Sequence, residues 1–478
     1  MHTSRNRGER PVMKRRTFLL GTASGLSVMV LAACGAPSPQ PTASVAPTTT
    51  PSVVPQPAAM QRTSWSVDPF ARGSFSFPAV GATPEHRTAL AEPVLDRIFF
   101  AGEATAATEP GTVQGARESG RRAATQVQSV ATTEERITVI GAGIAGLTAA
   151  TQLRSAGFTV IVVEARDRVG GRIDTMTKDW PMPIELGPSF IHNTTVNTLD
   201  DEFATLGVST LPFSRVPEAY TRTGEVVPIN PVGAEAVAAA LAWAGGQPQD
   251  VSVERALVDS GENQLSDSLN DQGLSESDWL EYEISTRLKM DSGSTPSQES
   301  AWYATAPGTT DDDHLVVGGY ANLLKADAEG LDVTMSSVVT FIAYTDSGVS
   351  LRLGAGEALS ADRVIVTVPL GVLKDGAVEF SPALPFAHRG AIAALGMGVL
   401  DKIWLRFDEP FWDTTAPLWT VVGTDSDFPV WVNMLPITGE PVLMGMVAAE
   451  NAVRLSEVSD EAFLASALRS LEPFRVTE

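Results

Sequence analysis

One cysteine, Cys34, stands in the 478 residues, so no disulfide can form within the chain. Basic side chains are also scarce: 34 Lys and Arg against 57 Asp and Glu leave a net charge of -23. That balance opposes nucleic-acid binding and suits a soluble acidic surface open to cations. No HExxH, paired CxxC or Walker loop occurs, which leaves metal-dependent hydrolysis and nucleotide hydrolysis without support. Long apolar runs are missing too. The one near the start is too short and too rich in Gly and Ser to span a bilayer stably. What remains, 43% hydrophobic and 19% charged, is the composition of a chain with a sizeable core and more than one domain.

The first residues read as an address. Paired arginines in Lys14-Arg15-Arg16-Thr17-Phe18-Leu19-Leu20 precede the apolar stretch, which ends in Leu31-Ala32-Ala33-Cys34. This is the pattern of a signal peptide closed by a lipobox, residues 1–34, with a lipid on Cys34. The twin arginines point to the Tat route, which carries folded proteins, with ordinary Sec export as the alternative and Met13 as an alternative start. The expected location is the outer face of a bacterial cytoplasmic membrane. Residues 35–60 are Pro, Ala, Ser and Thr with almost no charge, so they are predicted to form an extended tether.

The chemistry begins at Arg136. A buried strand, Ile137-Thr138-Val139-Ile140, leads into Gly141-Ala142-Gly143-Ile144-Ala145-Gly146, a helical run to Leu153, and a second strand, Thr159 to Val163, ending in Glu164. A dinucleotide site needs this order. Gly141 permits the turn, Gly143 lets backbone approach a pyrophosphate, Gly146 lets helix pack on strand, and Glu164 accepts from ribose hydroxyls.

The residues that follow, Glu164-Ala165-Arg166-Asp167-Arg168-Val169-Gly170-Gly171-Arg172, resemble the flavin amine oxidase family of monoamine oxidases, polyamine oxidases and lysine-specific histone demethylases. The resemblance implies FAD, with Arg166, Gly170, Gly171 and Arg172 near its phosphates. It continues through Glu185-Leu186-Gly187-Pro188-Ser189-Phe190-Ile191-His192, where Phe190 replaces the usual Trp, through Val339, implied to meet adenine, and through Val364 to Leu373. It closes on Gly396 to Ile403 and Phe411-Trp412. The fold it implies is an α/β dinucleotide-binding domain with a second, α+β substrate domain.

The family's closing FAD block does not follow Phe474-Arg475; a match to it stands in front. Trp65-Ser66-Val67-Asp68-Pro69, Phe75-Ser76, then Gly102-Glu103-Ala104-Thr105 and Gly111-Thr112-Val113-Gln114-Gly115-Ala116 carry it. The chain therefore resembles the family in circularly permuted order. Its expected parts are the permuted FAD module 61–128, a joining linker 129–135, a dinucleotide segment 136–204, substrate segment 205–312, a FAD-domain continuation 313–380 and a second substrate segment 381–478. Trp65, Gly102, Glu103, Thr112, Val113 and Gly187 join the implied cofactor contacts.

The resemblance implies catalysis of amine oxidation with oxygen as acceptor. Lys402 matches the lysine that holds a water at the flavin, Phe75 an aromatic wall, and Thr112 the place of a second aromatic in monoamine oxidases. His192 matches a pocket position able to bind a substrate nitrogen. FAD is expected to be noncovalent, since Cys34 is committed to the lipid. Three activities stay open: oxidation of a polyamine-like amine, oxidation of an L-amino acid with a carboxylate clamp from Arg215, Arg222 or Arg287, and a non-catalytic exported flavoprotein.

Overall fold

Alternation and glycine punctuation in the dinucleotide segment fold as the pattern requires. In the computed structural model, which describes residues 52–194, 199–305, 312–423 and 426–476, the strand Arg136–Ile140 is followed by the helix Ile144–Ser155 and the strand Thr159–Val163. The two strands are parallel neighbours, with Ile137 opposite Val160. Around them a five-stranded sheet forms, in the order Asp332–Thr334, Thr159–Val163, Arg136–Ile140, Arg363–Val366, Ile98–Phe100, every pair parallel. The last strand comes from the front of the chain. Its three residues Ile98, Phe99 and Phe100 are buried on both faces, as a strand covered on both sides must be.

One face of this sheet is covered by the helices Ile144–Ser155 and Val113–Val130, which share a core of Ala123, Ala124, Val127, Leu147, Ala150 and Leu153. Small residues let the two helices meet: a Cβ on Gly120 would stand 2.3 Å from the Ala145 carbonyl oxygen. The other face meets the sheet Ala358–Ala361, Gly348–Leu353, Val339–Thr345 and Glu379–Ser381 through Ile342, Tyr344 and Leu351. The helix Val113–Val130 runs almost directly into the strand beginning at Arg136, so the expected joining linker is short.

A second, seven-stranded sheet carries the other large core. Its order is Ala59–Arg62, Leu400–Arg406, Val442–Ala448, Val430–Asn433, Leu418–Val422, Glu218–Thr221, Val226–Val227. Trp404, Trp419 and Trp431 are almost wholly buried in it. The helices Val232–Gly245, Val253–Ser260 and Glu276–Glu283 belong to a smaller apolar cluster that includes Val237, Leu257 and Leu280.

The predicted tether 35–60 is corrected over its last part. Val54 is 3% exposed within the core of the second sheet, and Ala59–Arg62 pairs antiparallel with Arg406 to Ile403. An edge strand is held by backbone hydrogen bonds, which composition does not register. The same segment lies against the far end of the chain: Ser52 Oγ donates to the Leu468 carbonyl at 3.3 Å, and Arg62 Nε pairs with Asp460 at 2.7 Å. Cys34, the signal segment and the rest of the tether lie outside the described residues. Among the described residues no helix is long and apolar enough to cross a membrane.

Candidate active site

The glycine turn shows why each glycine is needed. Gly141 takes φ +106°, and a Cβ on Gly146 would stand 2.0 Å from the Gly141 carbonyl oxygen, so only glycine lets this helix start against the turn. Gly143 and Gly171 behave differently: a Cβ there would meet nothing closer than 3.9 Å and 3.7 Å. They present bare backbone to open space, and the two loops are joined by Gly170 N–H donating to the Ala142 carbonyl at 2.8 Å. A backbone cradle opening at a helix N-terminus fits a pyrophosphate. At the end of the second strand the buried Glu164 accepts from Ala142 N–H at 2.6 Å and Arg166 N–H at 2.8 Å. Each oxygen keeps a lone pair for a ribose hydroxyl. Val339 is buried at the start of its strand, near the end of Glu164's.

The front segment closes this cradle. Glu103 is 4% exposed; its Oε1 accepts from Arg172 Nη1 at 2.9 Å and its Oε2 from Ser76 Oγ at 2.6 Å and Gly111 N–H at 3.1 Å. Burial alone would raise its carboxyl, but Arg172, Ser76 and Arg87 together hold it below the usual carboxylate range. Gly102, at φ +120°, donates its N–H to Ser119 Oγ at 2.8 Å. Arg172 also donates to the Ser74 carbonyl at 2.9 Å and lines a small cavity with Gly102, Glu103 and Leu370. Arg166 is placed on Asp68, in a two-pronged pair at 2.7 and 2.9 Å. Sequence reasoning did not single out Asp68, Ser76 or Arg87 for these roles. Nor did it single out Arg168, which knits the 169–174 loop through the Gly171 carbonyl at 3.0 Å and Asp174 at 2.7 Å.

Lys402 extends from the strand Leu400–Arg406 into a dry space, 5% exposed. Its Nζ donates to the Gly187 carbonyl and, at 2.6 Å, to Ser189 Oγ. Among the described residues these are two of its three donors. Desolvation pushes its ammonium down to about 8, with Glu185 pulling upward, while burial pushes Glu185 up to about 7. Gly187 sits so tightly that a Cβ would be 1.8 Å from the Arg172 carbonyl oxygen, linking the Lys402 partners to the cradle. Trp65 braces the same loop, donating its Nε1–H to the Leu186 carbonyl at 3.2 Å and its backbone N–H to Asp401 at 2.8 Å.

Phe75 lies in the strand Phe75–Phe77, opposite Gly398. Thr112 is the N-cap of the helix Val113–Val130, its hydroxyl accepting from Gly115 N–H at 3.0 Å and donating to the Glu109 carbonyl at 2.7 Å. His192 Nδ1 lies 3.0 Å from Asp313, a buried carboxylate that also holds Arg215 Nε at 2.9 Å. Arg287 is paired with Glu283 and Asp291. Asp313 carried no local signal in the sequence, since its partners lie on other elements.

A two-layer dinucleotide cradle closed by an Arg–Glu pair, beside a buried lysine of low basicity, defines a flavin-dependent oxidoreductase. The family model described as "Flavin containing amine oxidoreductase" matches residues 43–128 and 144–476, and the chain belongs to this family. FAD is therefore its cofactor, and it is an oxidoreductase acting on amines. "Polyamine oxidase 4" of Oryza sativa subsp. japonica is 31% identical over 350 residues, 68% of this chain and 70% of that protein. "Polyamine oxidase 2" of Arabidopsis thaliana is 29% identical, covering 70% and 71%. A solved structure of putrescine oxidase bound to putrescine matches with TM-score 0.56 at 23% identity, covering 71% of this chain and 81% of that one, a likeness of fold. The expected mixed α/β architecture is thereby borne out.

Replacing Gly146 with Ala drives a methyl into the Gly141 carbonyl. The variant is expected to purify with less than roughly a tenth of the wild-type flavin absorbance per chain, a loss of at least about 1.4 kcal/mol in binding. Full flavin content in Gly146→Ala would contradict the cradle assignment.

Proposed function

We propose that the protein oxidises a polyamine-like amine and passes the electrons to oxygen, releasing peroxide and an imine that hydrolyses to an aldehyde. FAD, when bound, would supply the acceptor for the hydride that leaves the carbon beside the amine nitrogen. The observation that carries the reading is Lys402, buried beside the Gly187 loop and using two of its three donors among the described residues. Its charge stabilises developing negative charge in a water-poor site, and its third donor can hold a water. Desolvation lowers the ammonium to about 8, and the charge of Glu185 opposes that fall. Gly141, Gly143, Gly146, Glu164, Gly170, Gly171, Arg172, Gly102, Glu103 and Val113 would hold the cofactor, without a covalent link through cysteine.

A polyamine-like substrate is favoured over an L-amino acid because two of the three arginines suited to clamp a carboxylate are engaged and the third is on the surface. Arg215 is on Asp313 and Arg287 on Glu283 and Asp291, while Arg222 is exposed. An acidic surround draws in ammonium groups. We further propose that the chain order is a circular permutation of the family's. Support comes from the front strand Ile98–Phe100 on the edge of the dinucleotide sheet, from Ser52 beside Leu468, and from a family match in two stretches. Export with a lipid on Cys34 remains part of the proposal: Cys34→Ala should shift the protein from the membrane to the soluble fraction, and persistent membrane association would contradict it.

Peroxide release measured across polyamines, monoamines and L-amino acids tests the activity, and the polyamines should give the highest kcat/KM. In Lys402→Met, which keeps the length and apolar packing, FAD content should persist. Flavin reduction, reoxidation or both should slow roughly a hundredfold in stopped flow. Unchanged rates in both half-reactions would remove Lys402 from the mechanism; turnover confined to L-amino acids would favour the alternative.

A further inference from the structure

Beside the loop that receives Lys402 lies a cavity of about 100 Å³, lined by Glu109, Thr112, Gln114, Phe190, His192 and Tyr320. Ser189, which takes a Lys402 Nζ bond, is followed directly by Phe190 of the cavity wall. Most of its polar groups are already spent. The Thr112 hydroxyl caps its helix, His192 is held on Asp313, and the Tyr320 hydroxyl donates to the Phe190 carbonyl at 3.3 Å. Two acceptors remain. The Glu109 carboxylate makes no hydrogen bond or ion pair among the described residues, and Gln114 Oε1 is buried without a partner while its Nε2–H donates to Glu118 at 3.3 Å.

The position of Glu109 is enforced by its backbone. It takes φ +50°, a left-handed conformation uncommon for a side chain of this size, and its carbonyl accepts from Thr112 Oγ1 at 2.7 Å. Gly115 is packed so close that a Cβ there would stand 2.1 Å from that carbonyl oxygen. The main chain is thus pinned against the first helical turn, and Glu109 is held among the residues that line the cavity. An anionic and a neutral acceptor in a cavity also lined by Phe190 and Tyr320 complement an alkylammonium ion, which offers three donors and is attracted to aromatic faces. A water takes about 30 Å³ in the liquid, so the cavity has room for an aminomethyl end.

We propose that Glu109 is a specificity-determining residue that pairs with the ammonium at the far end of a diamine or polyamine substrate, with Gln114 Oε1 as second acceptor. This rests on the amine-oxidase reading of the site. His192, already oriented by Asp313, borders the same ammonium.

The test compares kcat/KM for 1,4-diaminobutane and spermidine with that for n-butylamine, which lacks the second charge, in the wild type, Glu109→Gln and Glu109→Asp, each checked for bound flavin. In Glu109→Gln the preference for diamine over butylamine should fall roughly 10- to 100-fold, chiefly through KM, as when one partner of a partly buried ion pair is neutralised. Glu109→Asp, which keeps the charge, should recover part of it. Should Glu109→Gln lose its flavin, Gln114→Leu reads the same preference, with a smaller fall expected. An unchanged preference in the flavin-bearing variants overturns the role of Glu109 while leaving amine oxidation intact. A flavin-loaded wild type that oxidises none of the three amines overturns the underlying reading, and this one with it.

Discussion

The buried pair between Glu103 and Arg172 ties together two stretches of chain that share no local sequence. Glu103 is almost sealed from solvent and holds Arg172, Ser76 and Gly111 at once. A carboxylate in such a place is tolerable only when it is compensated, and removing one partner of a buried pair costs about 3–5 kcal/mol. Arg172 in turn fixes the Ser74 carbonyl and packs its own carbonyl against Gly187, whose carbonyl receives Lys402. The glycine turn's partner loop, the loop before Phe190 and Lys402 are thus positioned through one connected set of contacts.

The same compensation recurs around other buried carboxylates. Asp313 holds both His192 and Arg215, and Asp291 and Glu283 hold Arg287. Among the described residues Arg215 and Arg287 are thus held by carboxylates. Asp401 contributes differently. It accepts from Thr63 Oγ1 and Trp65 N–H, both at 2.8 Å, binding the front segment to the strand that carries Lys402. Burial pushes its carboxyl up to about 6. Its folded value is raised above the unfolded one, so its contribution to stability is greatest in acid and fades as pH rises through about 6.

What was legible in the sequence is what local chemistry dictates. Gly141 and Gly146 are demanded by a turn and a contact within six residues, so spacing alone locates the cradle, and the parallel sheet follows from strand, helix and strand in series. Long-range partners were not legible. Asp68 under Arg166, Asp313 under His192 and the Asp401 contacts join residues about 100 or more positions apart, and each depends on tertiary placement. Thr112 was read by its place in a motif, and its hydroxyl proves to cap a helix. Residues 52–60 looked featureless because their order comes from backbone pairing with another strand and from one buried Val54.

If the cradle is assembled in space, the place of residues 61–128 in the chain should be immaterial, whereas their presence should be essential. Flavin affinity measured on two rearranged chains decides this. Moving residues 61–128 behind Glu478 through a short flexible linker should leave FAD affinity within about tenfold of wild type, since strand pairing depends on where chain ends lie. Deleting them should abolish binding. A deletion variant that still binds FAD with near-native affinity would contradict the account.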